Sequence, residues 1–182
     1  TSKNVGKSYS VATVLVQEGP KLFKIAYTER MAKNDLEYKV ARVDDLISKY
    51  NVDLAVGDIG FGYEICRILQ KKYLSKFLPA NGLAKINNKF RIKDEDNLKM
   101  VLFEKDYVLE QIFEKFKRGE IKFPYKDYEK IAWLVEHCAS MDIKVTYDMS
   151  GEPVSRYVKG NINNDGLMSL TYAYLASMCV ST

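Results

Sequence analysis

The chain has 182 residues, of which 47% are hydrophobic and 29% charged, and its formal net charge is +4. It contains no apolar run near the roughly 18 residues that a membrane span needs, no signal peptide at its start, and three cysteines without metal-binding spacing. These features predict a single cytosolic domain over residues 1–182, with free buried thiols and a mild positive charge that permits binding to a polyanion without demanding it.

The first fifty residues predict a hairpin followed by a helix. The segments Tyr9–Val16 and Lys21–Tyr27 are rich in β-branched and aromatic residues and flank the turn Glu18–Pro20, so they predict antiparallel strands. A strand stub is predicted at Ser2–Val5. Apolar residues at helical spacing then predict a helix over Asn34–Tyr50, which is long enough to cross back to a parallel strand.

The stretch Val52–Gly62 is the predicted centre of the fold. An apolar run ends there in Gly-Asp-x-Gly-x-Gly, which predicts a strand, a tight turn and then a helix over Tyr63–Lys72. Asp58 therefore lies at the carboxyl end of a predicted core strand, where ligands and catalytic groups gather in open α/β sheets. The alternative is that Asp58 only caps the helix that follows.

A basic segment follows the short strand predicted at Phe77–Pro79. Residues Asn81–Lys93 interleave cationic and apolar side chains beside a strand edge. Lys85, Lys89 and Arg91 are therefore candidates for contacts with a phosphate backbone, and an ordinary solvated loop is the alternative.

Two helices are predicted next. Asp94–Asp96 predicts the cap of a long helix whose apolar face runs over Leu98–Phe116. After an extended piece at Ile121–Pro124, a second helix is predicted over Lys126–Ser140. His137 lies in it among apolar neighbours, and we interpret this histidine as a structural or surface residue rather than a catalytic one.

The end of the chain predicts a second hairpin and a terminal helix. The hairpin covers Ile143–Val158, and Arg156 and Lys159 make it mildly basic. Asp165 begins the terminal helix, where the helix dipole favours a carboxylate. Taken alone, Asp165 would be interpreted as a cap.

The order of these elements resembles that of a ribonuclease H-like nuclease, an α/β fold with a mixed central sheet flanked by helices. More specifically, residues Asn163–Ala173 resemble the closing Asp-Ala-Leu-x-Ala-Leu-x-Tyr-Ala motif in the nuclease domain of viral terminase large subunits, the DNA-packaging motors of tailed phages. Glu114–Pro124 is similar to that family's link between a helix and a short extended piece. Val52–Gly60 matches the place of its second acid, and Ile143–Val158 resembles its auxiliary β-hairpin.

The resemblance implies a metal site. Asp58 and Asp165 would be ligands of two divalent cations, Mg²⁺ or Mn²⁺, held about 4 Å apart, since hard cations prefer oxygen ligands. Asn4 stands where the family has its first acid, and a neutral amide supplies no charge, so metal affinity and hydrolysis should both fall. An engineered change, natural divergence or a different register would each explain Asn4. Asp148 and Glu64 are possible auxiliary acids.

The resemblance also implies a function. The domain would cut double-stranded viral DNA in the cytoplasm of the infected host cell, with other terminase subunits and the portal of a packaging motor as partners. The family's N-terminal ATPase is expected to be absent from this chain. The alternatives are a weak or inactive module that binds DNA or docks on a packaging protein, and another ribonuclease H-like nuclease such as a junction resolvase or transposase core. The DNA contacts would come from Lys85, Lys89, Arg91, Arg156 and Lys159.

Overall fold

A computed structural model describes residues 10–95, 98–124, 126 and 128–180, apart from the side chains at positions 61 and 95. Within these ranges the chain is a mixture of helices and strands, as the sequence predicts. The strands are β1 Val11–Glu18, β2 Leu22–Arg30, β3 Ala55–Asp58, β4 Phe77–Leu83, β5 Phe90–Glu95, β6 Leu98–Glu104, β7 Ile121–Lys122, β8 Met141–Tyr147 and β9 Pro153–Lys159. The helices are α1 Leu36–Tyr50, α2 Tyr63–Tyr73, α3 Lys105–Lys117, α4 Tyr128–Cys138 and α5 Asp165–Val180. The strand stub predicted at Ser2–Val5 lies outside the described residues.

The first sheet contains the predicted opening hairpin. Strands β1 and β2 pair antiparallel, with an irregularity between Val14 and Leu15, and the two-residue strand β7 adds to β2 in parallel. Ile25 of β2 is fully buried, as is expected where a sheet turns one face to the core.

The second sheet holds the strand that ends at Asp58. Its order is β3-β4-β6-β5, in which the first three strands run parallel and β5 is an antiparallel edge. In the register of the parallel strands β3 and β4, Ala55 pairs with Phe77 and Asp58 pairs with Ala80. Since β3 begins at Ala55, the strand is shorter than the Val52–Asp58 segment predicted from the sequence.

The long helix predicted over Leu98–Phe116 is wrong. Residues Leu98–Glu104 form β6, and α3 starts only at Lys105. Its predicted cap is also wrong, because Asp94 belongs to the edge strand β5. The physical reason is that β6 lies between two other strands and is buried on both faces, which gives an apolar run without the alternation of a half-buried strand.

The terminal helix α5 connects the two sheets. It packs against both β1 and β3, and Ser169 Oγ donates a hydrogen bond of 3.1 Å to the Val11 carbonyl oxygen. Leu167, Leu170 and Tyr174 are buried, and Met178 is partly buried against the same core. Helix α5 thus packs on one strand of each sheet.

The second hairpin, β8–β9, packs on α3. Tyr157 of β9 lies beside Phe113 with their ring centroids 5.1 Å apart, and the Tyr157 amide donates to Asp106 Oδ1 over 3.4 Å. Three apolar side chains of β8 are exposed to solvent, namely Ile143, Val145 and Tyr147.

The described cysteines form no disulfide. Cys66 and Cys138 are buried and Cys179 is half-buried. Among the described helices, none has the length and apolar character required to cross a bilayer.

Candidate metal site and its surroundings

Asp58 lies where β3 ends and the chain turns. One carboxylate oxygen, Oδ1, accepts a 2.9 Å hydrogen bond from the Gly60 amide and caps the short turn Ile59–Phe61. The Cys66 thiol donates to the Asp58 carbonyl oxygen over 3.6 Å and ties the strand end to α2. The predicted capping role is therefore real, but it belongs to this turn and not to α2, whose N-cap is Gly62. A carboxylate has two oxygens, so capping by one does not prevent metal binding.

Asp165 is the first residue of α5. Asp165 is half-buried. The backbone carbonyl oxygen of the preceding residue, Asn164, accepts the first helical hydrogen bond, of 2.9 Å, from the Met168 amide. The next amide along the helix, that of Gly166, donates over 3.0 Å to His137 Nδ1 on α4. The first turn of α5 is thus held by a residue from another helix.

Asp58 and Asp165 line the same cleft. Its walls come from β1, β3, α1 and α5, and Gly60 and Tyr172 contribute to its lining together with the two acids. Two carboxylates that lie far apart in the sequence, both at element ends, therefore line one cleft.

Tyr172 joins α5 to Asp58. Its hydroxyl lies in the electrostatic environment of the Asp58 side chain, and its ring meets Phe103 edge-on with the centroids 5.8 Å apart. Burial, and then the negative charge of Asp58, raise the pKa of Tyr172, so the phenol stays protonated. Because Tyr172 lies seven residues beyond Asp165, about two helical turns, one helix carries both a candidate ligand and the partner of the other.

His137 is buried, in agreement with its interpretation as a structural residue. It is 5% exposed, and its ring meets that of Trp133 edge-on at 5.3 Å. Burial lowers the pKa of His137, an effect that the nearby Asp165 carboxylate opposes and that Arg30 strengthens. The imidazole is therefore neutral near pH 7.

The candidate DNA-binding residues lie in two regions. Lys85 and Lys89 are exposed on the loop between β4 and β5, where Lys89 Nζ lies 3.2 Å from Glu104 Oε1 and 5.3 Å from the centre of the Tyr107 ring. Arg91 is exposed on the edge strand β5.

The other region is the second hairpin. Arg156 and Lys159 are exposed on β9, and Lys159 Nζ lies 3.4 Å from Asn163 Oδ1. Lys159 also contributes to the electrostatic environment of His137, which places it near the start of α5. The charge of Lys85 acts on Asp148 at the hairpin turn.

Arg30 is a cation near the site that the sequence did not indicate. Its guanidinium lies 4.9 Å from the centre of the Trp133 ring and contributes to the environment of His137. Arg30 ends β2, whereas Trp133 lies on α4, so only the folded structure brings them together. No local pattern in the sequence could have revealed this pair, or the Tyr172–Asp58 pair.

The two possible auxiliary acids have other partners. Asp148 Oδ1 accepts from the Ser150 hydroxyl and from the amides of Ser150 and Glu152, which stabilises the hairpin turn. Those hydrogen bonds lower the pKa of Asp148. Glu64 pairs with Arg67 at 2.8 Å on the exposed side of α2. Both acids therefore have structural roles on the surface.

The chemistry of the cleft fits a hard divalent cation. Asp58 and Asp165, two of the acids that line it, offer the oxygen ligands that Mg²⁺ and Mn²⁺ prefer. The described part of the chain contains no group of three or more His, Cys, Asp or Glu residues arranged to hold a metal. Asn4, the third predicted position, lies outside the described residues.

This arrangement of strands and helices is similar to that of solved nucleases. The crystal structure of the large terminase nuclease from thermophilic phage G20c superposes with a TM-score of 0.53 and 18% identity, over 92% of this chain and 82% of that one. The same nuclease with bound magnesium superposes with a TM-score of 0.53 and 20% identity, over 91% and 81% of the two chains. No protein-family model and no curated protein matches the sequence. The chain therefore has the ribonuclease H-like fold of a large terminase nuclease, and the resemblance read from its sequence is confirmed at the level of the fold.

Proposed function

We propose that this chain is a metal-dependent endonuclease domain that cuts double-stranded viral DNA during genome packaging. The observation that carries the proposal is that Asp58 and Asp165 line one cleft in a terminase-nuclease fold. The similar nuclease from phage G20c has been solved with magnesium, which supports a divalent cation as the cofactor.

Asp58 and Asp165 would bind two cations, Mg²⁺ or Mn²⁺. The carbonyl oxygen of the Asn4 side-chain amide would be a third ligand. In two-metal sites the bound ions activate the attacking water and stabilise the leaving oxygen of the phosphodiester. The hydroxyl of Tyr172, whose pKa the Asp58 charge raises, would help to orient that carboxylate. The Gly60 amide holds the same carboxylate from the other side of the turn.

The cationic residues would position the DNA. Phosphate contacts fix a duplex without reading its sequence, which suits cleavage that is not sequence-specific. Lys159 and Arg30 are the cations whose charges act near the start of α5, so we assign them to the phosphates next to the cleavage point. The remaining candidates would hold the duplex further away, namely Lys85, Lys89, Arg91 and Arg156.

Asn4 favours a second candidate function, a module that binds DNA or docks on a packaging protein without cutting. A neutral amide in place of a carboxylate lowers the charge of the site and thus its affinity for cations. In either case, the proposed setting is the cytoplasm of an infected cell, with other terminase subunits and the portal as partners.

Plasmid cleavage in Mg²⁺ and in Mn²⁺ tests the proposal. Asp58→Ala and Asp165→Ala should each abolish cutting by a protein that remains folded, whereas Glu64→Ala should not, because Glu64 is an exposed acid paired with Arg67. The proposal fails if a folded Asp58→Ala or Asp165→Ala protein cuts as the parent does. Salt-sensitive DNA binding by the parent, without any cutting, would support the second candidate.

A further inference from the structure

The start of α5 has an unusual capping partner. The first amides of a helix have no partner inside the helix, and normally the side chain of the N-cap residue accepts from one of them. Here the Gly166 amide donates to His137 Nδ1 over 3.0 Å, although His137 belongs to α4. The side-chain amide of Asn164, which precedes the helix, contacts Met141 Sδ at 3.4 Å.

The contact lies in a closely packed crossing of the two helices. A Cβ atom added to Gly166 would lie 2.8 Å from Leu134 Cδ1, 3.0 Å from Trp133 Cζ3 and 3.1 Å from His137 Nδ1. The helices can approach this closely only because residue 166 has no side chain. The buried His137 imidazole therefore has little freedom to move away from the Gly166 amide, its hydrogen-bond donor.

The hydrogen bond also defines the state of the imidazole. An atom that accepts from an amide carries no proton, so the ring is neutral and its proton is on Nε2. Asp165 directly precedes the amide that His137 fixes, and both lie in the first turn of α5.

We propose that His137 is a positioning residue for Asp165. By accepting from the Gly166 amide, its imidazole replaces a local N-cap, fixes the first turn of α5 and so directs the Asp165 carboxylate into the cleft that it shares with Asp58. This inference rests on the proposed function, because His137 has a positioning role only if Asp165 is a metal ligand. His137 itself would touch neither metal nor DNA.

The test compares three substitutions of His137. In His137→Asn the side-chain oxygen takes nearly the position of Nδ1 and keeps an acceptor for Gly166. His137→Leu has similar bulk without an acceptor. His137→Gln is polar, but its amide group lies closer to the position of Nε2, and this variant replaces His137→Leu if the latter does not fold.

Two measurements report how these substitutions affect the start of α5 and the binding of Mn²⁺. The first, on the metal-free protein, is hydrogen exchange of the Gly166 amide by NMR, which should become about tenfold or more faster in His137→Leu and stay near the parent rate in His137→Asn. The second is the Mn²⁺ concentration that half-saturates the site, measured by calorimetry. It should rise about tenfold in His137→Leu, as is typical when the support of a ligand is lost, and return to within about threefold of the parent in His137→Asn.

The outcomes separate this inference from the proposed function. If Asp165→Ala abolishes Mn²⁺ binding while folded His137→Leu, or its replacement His137→Gln, binds Mn²⁺ like the parent, the positioning role is wrong and the proposed function survives. If the parent and Asp165→Ala bind Mn²⁺ equally, the proposed function fails first. Equal loss of affinity in His137→Asn and His137→Leu would also overturn the inference, since it would show that the acceptor is not what matters.

Discussion

Replacement of Gln70 by leucine should destabilise the domain through three lost hydrogen bonds. Gln70 is a buried residue of α2. Its Nε2 donates to the carbonyl oxygens of Phe77, over 3.1 Å, and Lys99, over 2.6 Å, and its Oε1 accepts from the Lys99 amide over 2.9 Å. Since Phe77 begins β4, which pairs with β3, these bonds support the strand that ends at Asp58.

The magnitude follows from the number of groups left without a partner. Leucine has nearly the volume of glutamine, so Gln70→Leu leaves little cavity but removes the partners of two carbonyl oxygens and one amide. An intramolecular hydrogen bond contributes about 1 kcal/mol net, and a buried group without a partner costs about 1–3 kcal/mol. Part of the cost is offset by the apolar surface that leucine buries. We therefore expect the free energy of unfolding to fall by about 3 kcal/mol.

Urea unfolding followed by circular dichroism measures the change. Lys71→Leu is the matched control, because Lys71 is the next residue of α2 and is exposed, and its free energy of unfolding should stay within about 0.5 kcal/mol of the parent. A loss below about 1 kcal/mol in Gln70→Leu would refute the reasoning.

Three further predictions concern the site. Tyr172→Phe keeps the ring contact but removes the hydroxyl that meets Asp58, so calorimetry should show Mn²⁺ affinity about tenfold lower with the fold retained; unchanged affinity would contradict the role of the hydroxyl. Burial lowers the pKa of His137 in the folded state, so the unfolded chain binds more protons below about pH 6.5. Stability should therefore fall with decreasing pH by up to about 1.4 kcal/mol per unit, and His137→Asn should lack this component in parallel urea titrations. Gly166→Ala should cost about 1–3 kcal/mol, because its Cβ meets Leu134 at 2.8 Å; unchanged urea unfolding would show that the helices separate easily.

The local patterns predicted most elements of the fold. The opening hairpin, the helix before Asp58, the second hairpin and the terminal helix lie within a few residues of their predicted positions. Each has a signal that depends on near neighbours in the chain, such as the Gly-Asp-x-Gly-x-Gly turn after β3 or the apolar spacing of α5.

The strand β6 was predicted as part of a helix for a physical reason. Met100, Val101, Leu102 and Phe103 are all buried because strands lie on both sides of β6 and its two faces are covered. Such a run has no period of two, and it continues without interruption into the apolar face of α3, so the two elements together look like one helix. The sequence contains no turn residue at the junction between Glu104 and Lys105.

The site was predictable only as a set of isolated acids. Asp58 and Asp165 each follow a recognisable local pattern, and the resemblance to the terminase nucleases suggested that they act together. Their supporting residues have no such pattern, because Tyr172 reaches Asp58 from another element and His137 reaches Gly166 from α4. Contacts between elements depend on how the helices pack, which spacing along the chain does not encode.

The most direct test of the central claim is plasmid cleavage in Mn²⁺ by the parent chain, by Asn4→Asp and by the double variant Asn4→Asp/Asp58→Ala. We expect Asn4→Asp to introduce or increase cutting, because it restores a charged ligand, and the added Asp58→Ala to abolish it. A folded Asn4→Asp protein that binds Mn²⁺ but does not cut, or a double variant that cuts as well as Asn4→Asp, would contradict this expectation.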